Sequence, residues 1–194
     1  DAGRLTTWAN PRGDQETYTY YNNGWLKNVV NGRGKTRTYL YTARGDLLHL
    51  QHADGLTETW SHDGVGNMTA HTTGPYTVGY LYTAAGRIST IDYTTGTDTT
   101  FAYDGDGRMT GMTDGTGPTT WTYDSADLTN FASPNGSYAY TYDSFGRQKT
   151  SVESGVGTTT WNYHPSTGRL DSMVNPFNET FSWLYDGSGR VSTK

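Results

Sequence analysis

Glycine recurs along this chain with a fixed beat. It stands at Gly3, Gly24, Gly45, Gly66, Gly86, Gly107, Gly146, Gly168 and Gly189, and Asp127 occupies the slot between Gly107 and Gly146. The ten positions are 21, 21, 21, 20, 21, 20, 19, 22 and 21 residues apart. A period held over the whole sequence indicates a repeat architecture, in which each unit is too small to bury its own apolar face and relies on its neighbours. Three repeats read Y-D-x-x-G-R without a gap: Tyr103-Asp104-Gly105-Asp106-Gly107-Arg108, Tyr142-Asp143-Ser144-Phe145-Gly146-Arg147 and Tyr185-Asp186-Gly187-Ser188-Gly189-Arg190. The slot four residues before the glycine holds Tyr20, Tyr41, His62, Tyr82, Tyr103, Tyr123, Tyr142 and Tyr185. Before Gly168 it holds Tyr163, one residue further back, and His164-Pro165 marks the insertion. The chain opens inside the motif at Asp1-Ala2-Gly3 and stops at Ser192-Thr193-Lys194. Residues 1–194 are therefore expected to be one array cut within a repeat at both ends.

The motif has a physical reading. Asp at the first position of D-x-x-G accepts bonds from the backbone N–H groups ahead of it, and Gly at the fourth tolerates positive φ, which makes a type I turn that closes a hairpin. At Asp127 the expectation is that aspartate itself enters the left-handed region. A second set of turn signals follows each glycine by 7 to 10 residues: Gly13, Asn31-Gly32, Asp54-Gly55, Gly74-Pro75, Gly96, Asp114-Gly115, Asn135-Gly136, Gly155 and Asn175-Pro176. Turns about every ten residues imply short antiparallel strands. Two residues before the tyrosine slot stands another aromatic: Tyr18, Tyr39, Trp60, Tyr80, Phe101, Trp121, Tyr140, Trp161 and Trp183. Period two puts both columns on one face. Apolar residues then fall two and five past the glycine, as in Leu26/Val29, Leu47/Leu50 and Met109/Met112. A spacing of three is wrong for a regular strand, and implies a bulge or an early strand end.

Composition supports the all-β reading. The chain has 35 threonines, 25 glycines, 16 tyrosines and 6 tryptophans, residues that suit pleated strands and frequent turns. The net charge is −5 with only four lysines, so no basic patch for nucleic acid is visible. No apolar run approaches the roughly 18 residues of a membrane helix. The absence of cysteine excludes disulfides and thiol catalysis.

Chemical motifs are weak. Asp104-Gly105-Asp106-Gly107 hints at a calcium loop, but the later ligand positions hold Arg108 and Gly115. Gly32-Arg33-Gly34-Lys35-Thr36 lacks the leading glycine of a phosphate loop. His49, His52, His62 and His71 cluster in sequence, but residues three apart on a strand face opposite sides. Arg12-Gly13-Asp14 and Arg44-Gly45-Asp46 are adhesion tripeptides in form, and Asn67, Asn135 and Asn178 head glycosylation sequons. No nucleophile elbow, carboxylate pair, cofactor site or metal site is expected, and the reading is of a protein that is not an enzyme.

The Y-D-x-x-G-R motif at this spacing resembles the YD-repeat, or Rhs-repeat, family over essentially the whole chain. Departures are Thr42 and Thr83 for the aspartate, and Trp25, Asp46 and Asn67 for the arginine. The resemblance implies a sheet that curves or spirals into part of a hollow β-shell, which encloses a toxin in Rhs toxins and insecticidal toxin complexes and forms a surface module in wall proteins and teneurins. It implies a secreted or cell-surface location. The partners it implies are the rest of the same polypeptide, further copies of the chain, or an enclosed toxin domain. The D-P-x-G-L-like self-cleavage motif of the Rhs core is not found in the sequence. The alternative fold is a β-propeller with two repeats per blade. The alternative functions are a module that binds glycan or protein through its aromatics, and a filament-forming repeat. The motif residues Tyr20, Gly24, Tyr41, Gly45, Gly66, Tyr82, Gly86, Tyr103, Asp104, Gly107, Arg108, Tyr123, Tyr142, Asp143, Gly146, Arg147, Tyr163, Gly168, Tyr185, Asp186, Gly189 and Arg190 are expected to be structural.

Overall fold

The computed structural model describes residues 3–193, and every regular element among them is a β-strand. The chain forms two units that meet between Thr99 and Thr100. The first contains β1 (Thr7–Ala9), β2 (Gln15–Tyr20), β3 (Leu26–Val30), β4 (Thr36–Tyr41), β5 (Leu47–Gln51), β6 (Thr57–His62), β7 (Met68–Thr73), β8 (Tyr76–Tyr82) and β9 (Ile88–Tyr93). Each strand pairs antiparallel with the next, from β1–β2 to β8–β9. The second contains β10 (Thr99–Tyr103), β11 (Met109–Asp114), β12 (Gly117–Asp124), β13 (Asp127–Ser133), β14 (Gly136–Tyr142), β15 (Gln148–Glu153), β16 (Gly157–Tyr163), β17 (Leu170–Val174) and β18 (Thr180–Ser182), followed by the hairpin of β19 (Leu184–Tyr185) and β20 (Val191–Thr193). It repeats the same nearest-neighbour pairing. Each unit is thus an open meander of nine successive strands, which excludes the four-stranded blades of a propeller.

The motif turns close hairpins as the sequence implies. In the turn at Asp104, the Gly107 N–H donates to the Asp104 carbonyl at 3.0 Å, and the Asp104 N–H donates to the Arg108 carbonyl at 3.0 Å. The same pair of bonds closes the turns at Tyr21, Thr42, Asp63, Thr83, Asp143 and Asp186. This is a type I turn completed by a left-handed residue. The motif glycines from Gly3 to Gly189 have φ between +65° and +102°. At His164 the loop is one residue longer, as the insertion predicts. The expectation for Asp127 is not met. Asp127 begins β13 and pairs with Asp124, so the slot is deleted, and a two-residue loop with Ser125 at φ +50° makes the turn. The second row of turns is less uniform. Gly13, Gly34 and Gly55 close turns of the same kind at Asn10, Asn31 and His52, while Thr73–Tyr76, Asp114–Gly117 and Ser133–Gly136 enclose two residues each.

The spacing of three after the glycine is a bulge, present in every motif hairpin from Tyr20 to Tyr185. Tyr103 pairs with Met109 and Ala102 with Gly111, leaving Thr110 extra. The bulge returns the next residue to the original face. Met112 then meets Phe101, as Val29 meets Tyr18, Leu50 meets Tyr39 and Ile91 meets Tyr80. The residues at plus two and plus five therefore share the aromatic face only because one residue is looped out between them.

Both aromatic columns are half-buried, and the residue between them is exposed in all nine repeats. Contacts run sideways: Trp121 to Phe131 at 5.8 Å and Phe131 to Tyr138 at 6.2 Å between ring centroids. Only Val29 and Thr119, each 8% exposed, are buried among the described residues. The chain exposes 12668 Å², against about 9,100 Å² for a compact globule of this mass. Among the described residues of each unit, the strands pack side by side in one layer, and neighbouring strands cover the apolar face.

In most repeats the tyrosine slot ties the repeat to the one before. The hydroxyls of Tyr20, Tyr82, Tyr123, Tyr142, Tyr163 and Tyr185 donate to the carbonyls of Leu5, Met68, Met109, Leu128, Gln148 and Leu170, at 2.6 to 3.0 Å. The acceptors Met68, Met109, Leu128, Gln148 and Leu170 are each the residue beside a bulge, where the ladder is interrupted. His62 is too short to make the equivalent bond to Leu47, and its Nδ1 is buried without a hydrogen-bond partner.

Two pairs of substitutions check these assignments by thermal melting. Gly107→Ala forces a Cβ into the left-handed region and is expected to cost about 1–2 kcal/mol. Gly105→Ala, in the same turn without positive φ or any atom within 4 Å of an added Cβ, is expected to be neutral. Tyr123→Phe removes one tie and is expected to cost about 1 kcal/mol, or about 2–4 °C in Tm. His62→Tyr supplies the missing hydroxyl and is expected to raise Tm.

Candidate functional site

The motif turns carry most of the charged side chains that touch one another. Asp104 Oδ1 accepts from the N–H groups of Asp106 and Arg108, and Oδ2 accepts from Arg108 Nε at 2.7 Å. Asp143 holds Phe145, Arg147 and the Arg147 guanidinium in the same way, and Asp186 holds Ser188 and Arg190. The Arg108 guanidinium beside Asp104, and that of Arg147 beside Asp143, hold these carboxyls below the ordinary aspartate range. At Asp186 the backbone N–H of Arg190 is the main cause of the same shift.

The arginine also reaches the next repeat. Arg147 lies over the Tyr163 ring at 4.3 Å, and its Nη1 donates to the Gly168 carbonyl at 2.8 Å. Arg108 lies over Tyr123 at 4.6 Å and donates to the Ser125 carbonyl. Arg169 and Arg4 lie over Tyr185 and Tyr20 at 5.3 and 5.4 Å. This gives the motif glycine a second role. A Cβ at Gly168 would stand 3.0 Å from Arg147 Nη1, and one at Gly24 would stand 2.9 Å from Arg4 Nη1. Tyrosine, aspartate, glycine and arginine thus form one relay from turn to turn.

Where the consensus fails, other residues complete the relay. Asp46 stands in the arginine slot and accepts from the Thr42 hydroxyl at 3.1 Å, and Arg44 supplies the cation from two residues earlier, with Nη1 donating to the Gly64 carbonyl at 2.9 Å. Asp63 caps its turn through Val65, Gly66 and Asn67, and Asn67 Nδ2 replaces the arginine at 2.9 Å. Desolvation pushes the Asp63 carboxyl up but is outweighed by the Asn67 side chain and the turn N–H groups, which hold it below its ordinary range. At the second turn the relay is aromatic, with Tyr21 in the aspartate slot and Trp25 in the arginine slot against Tyr41 at 5.4 Å. Sequence reading placed Arg44 only in an adhesion tripeptide and did not single out Asp63, although Asp63 stands in the aspartate slot and Arg44 is a charge displaced two residues from the arginine slot.

The remaining candidates are absorbed by the array. Arg44 and Asp46 of one adhesion tripeptide pair with each other at 3.4 Å. Asp14 of the other accepts from Asn10 Nδ2 at 2.8 Å. Gly32 to Lys35 form an ordinary hairpin turn with Gly34 at φ +72°. Sequence reasoning missed that His52 and His71 converge on Glu58, at 2.6 and 2.8 Å, with His71 stacked on Trp60 at 4.8 Å. Hydrogen bonds from His52 and then His71 hold the Glu58 carboxyl below its ordinary range. His49 lies on the next strand position from Leu50 and takes no part.

These carboxylates set the response to acid. A pKa depressed in the folded state gives stability that is complete above the unfolded-state value and is lost as pH falls through the folded one. Tm is therefore expected to be flat from about pH 7 to pH 5 and to fall below about pH 4. Asp143→Asn keeps an acceptor for the turn, as Asn31 does for Arg33 and Lys35, and is expected to soften the acid slope.

The RHS Repeat family model matches residues 82–119, which run from one motif tyrosine through the following repeat. No curated protein matches the chain. Among solved structures, TcdB2-TccC3-Cdc42 is similar over 94% of this chain and 11% of its own, at 15% identity and a TM-score of 0.54. TcdB2-TccC3 without its hypervariable C-terminal region gives 91% and 11%, at 17% identity and 0.55. The Photorhabdus luminescens Tc holotoxin pore gives 97% and 12%, at 14% identity and 0.51. The chain spans about one ninth of the chains it matches, and at these identities the likeness is one of fold. The matched segment is an RHS repeat, and the motif relay and the fold shared with these structures repeat its pattern along the chain.

Proposed function

We propose that this chain is a non-catalytic wall segment of a larger β-shell in a secreted or cell-surface protein, and that the shell encloses a toxin domain or serves as a surface scaffold. The observation that carries this reading is the use made of the motif. The tyrosine hydroxyl, the aspartate carboxylate and the arginine guanidinium, groups able to do chemistry, are spent on the neighbouring repeat or on their own turn. A relay of this kind extends a sheet sideways and occupies its own reactive groups within the array. The fold shared with structures that contain TccC3 supports a shell, and the small share of those chains that it spans supports a role as one part of a wall. On this reading the partners are the rest of the same polypeptide and the segment inside.

The test is protection of an enclosed segment. In the longer polypeptide that carries the array, native proteolysis is expected to spare an interior segment until the wall melts. Tyr123→Phe combined with Tyr142→Phe is expected to lower the temperature at which that protection is lost. An array that shelters nothing, with the rest of the polypeptide cut at one rate in both forms, would overturn the shell and leave an open binding surface as the better account.

A further inference from the structure

Two regular slots of the array hold histidine at one place, and both side chains reach the same carboxylate. In the turns at Asn10, Asn31 and Asn175 the first residue is asparagine, whose Oδ1 accepts from the turn N–H groups. In the equivalent turn the residue is His52, which keeps the backbone closure to Gly55 and Leu56. The slot five past the motif glycine, Val29, Leu50, Ile91 or Met112 elsewhere, is His71 after Gly66. Glu58, on β6 between β5 and β7, meets both. His52 Nε2 lies 2.6 Å from Oε1, and His71 Nε2 lies 2.8 Å from Oε2. The turn after β5 is thereby joined through β6 to β7 by side chains alone.

The carboxylate fixes where the protons sit. An ionised carboxylate only accepts, so each Nε2 carries its hydrogen and each Nδ1 is the atom left to take up another. Both rings are about a third exposed, and among the described residues only His62 Nδ1 is buried without a partner, so water reaches the other two Nδ1 atoms. Histidine is the side chain whose charge ordinarily changes between about pH 5 and 8. Protonation at Nδ1 breaks no bond in the cluster and turns each neutral hydrogen bond into a charge-assisted one, which is shorter and stronger. The His71 ring also lies flat on Trp60, at 4.8 Å and 10°, and an indole face attracts a cation. Hydrogen bonds from the two histidines hold the Glu58 carboxyl below its ordinary range, so the anion persists in mild acid. The surrounding elements add little charge. β4 presents Tyr39 and, one residue beyond the Thr38–Gln51 pair, Arg37. The turn adds Asp54, which holds the Leu56 N–H, and His62 stands four residues along β6 from Glu58. β8 presents Tyr76 opposite Thr73, and Tyr80 two residues past Val78, the partner of His71. His49 lies on the other face of β5. Among the described residues, Glu58 makes ion pairs with these two histidines alone.

We propose that His52, Glu58 and His71 form an acid-tightened clasp that fastens β6 to the turn before it and to β7. The two cations are drawn to Glu58 only while the clasp is closed. The added hold is therefore present below the ordinary histidine value of about pH 6.5, fades as pH rises above it, and ends below about pH 4, where the carboxylate itself takes a proton. The cations share one anion, so the gain is less than twice that of a single pair. Each hairpin leans only on its neighbours, so the effect is a slower local opening around β6 and β7 and not a change in the melting of the whole array.

The experiment is amide hydrogen exchange of the whole chain at about pH 5.5 and about pH 7.5, corrected for the intrinsic pH dependence of exchange. Protection of the β6 and β7 amides is expected to be about three- to tenfold higher at the lower pH. Protection of β14 and β15, the same fold without histidine, is expected to be equal at both. Glu58→Gln, neutral at both pH values, is expected to lose the difference whatever its effect on absolute protection. His52→Gln combined with His71→Gln, which keeps Glu58, is expected to lose it as well. His49→Gln is expected to keep it. Equal protection of β6 and β7 at the two pH values in the parent, a difference that survives Glu58→Gln or the paired histidine variant, or one abolished by His49→Gln would each overturn the proposal.

Discussion

One hydrogen bond organises this protein: the tyrosine hydroxyl donated to a carbonyl in the preceding repeat. It exists because two irregularities coincide. The bulge after each motif glycine interrupts the ladder, and the tyrosine four residues before the following glycine has the length to reach it. The bulge also brings the plus-five residue onto the aromatic face, so one looped-out residue sets both the lateral tie and the packing. In a sheet with almost no buried side chains such ties matter more than in a globule, because no second layer compensates for them.

Charge follows the same path. Arg108 and Arg147 each answer their own aspartate, cover the next tyrosine ring and cap the next turn. None of these contacts is deeply buried, and single exposed ion pairs contribute little. Their weight comes from repetition along a row and from being joined to backbone acceptors. The substituted turns show that the row requires a donor near that point and not a particular residue. Arg44 provides it from another position, Asn67 provides a neutral version, and Trp25 fills the space without charge.

Much of this was legible in the sequence. The glycine beat, the D-x-x-G turns and the period-two aromatics gave the hairpins, the antiparallel order and the aromatic face, because each is a local rule acting over a few residues. The spacing of three marked the bulge but could not separate it from a strand end, since that difference lies in the register of the partner strand. Asp127 was misplaced because a deletion and a substitution look alike when only spacing is counted; Ser125 bears the positive φ. The hydroxyl acceptors 14 or 15 residues away, the role of Arg44, and the meeting of His52 and His71 at Glu58 depend on which strands lie side by side and how far a side chain reaches. No motif in one repeat announces them.

The two rows of turns differ in how freely they vary. The motif row keeps nearly one geometry, because each turn must present a carbonyl and a left-handed residue to the next. The opposite row mixes three-residue closures with two-residue loops and accepts Asn178 where glycine would serve. Within each unit change in chain length is therefore commoner in this row, while the motif row shows it only at Ser125 and His164. A lineage of such proteins can lengthen, shorten or decorate that margin while the other keeps its pitch, so that novelty accumulates on one side and measurement on the other.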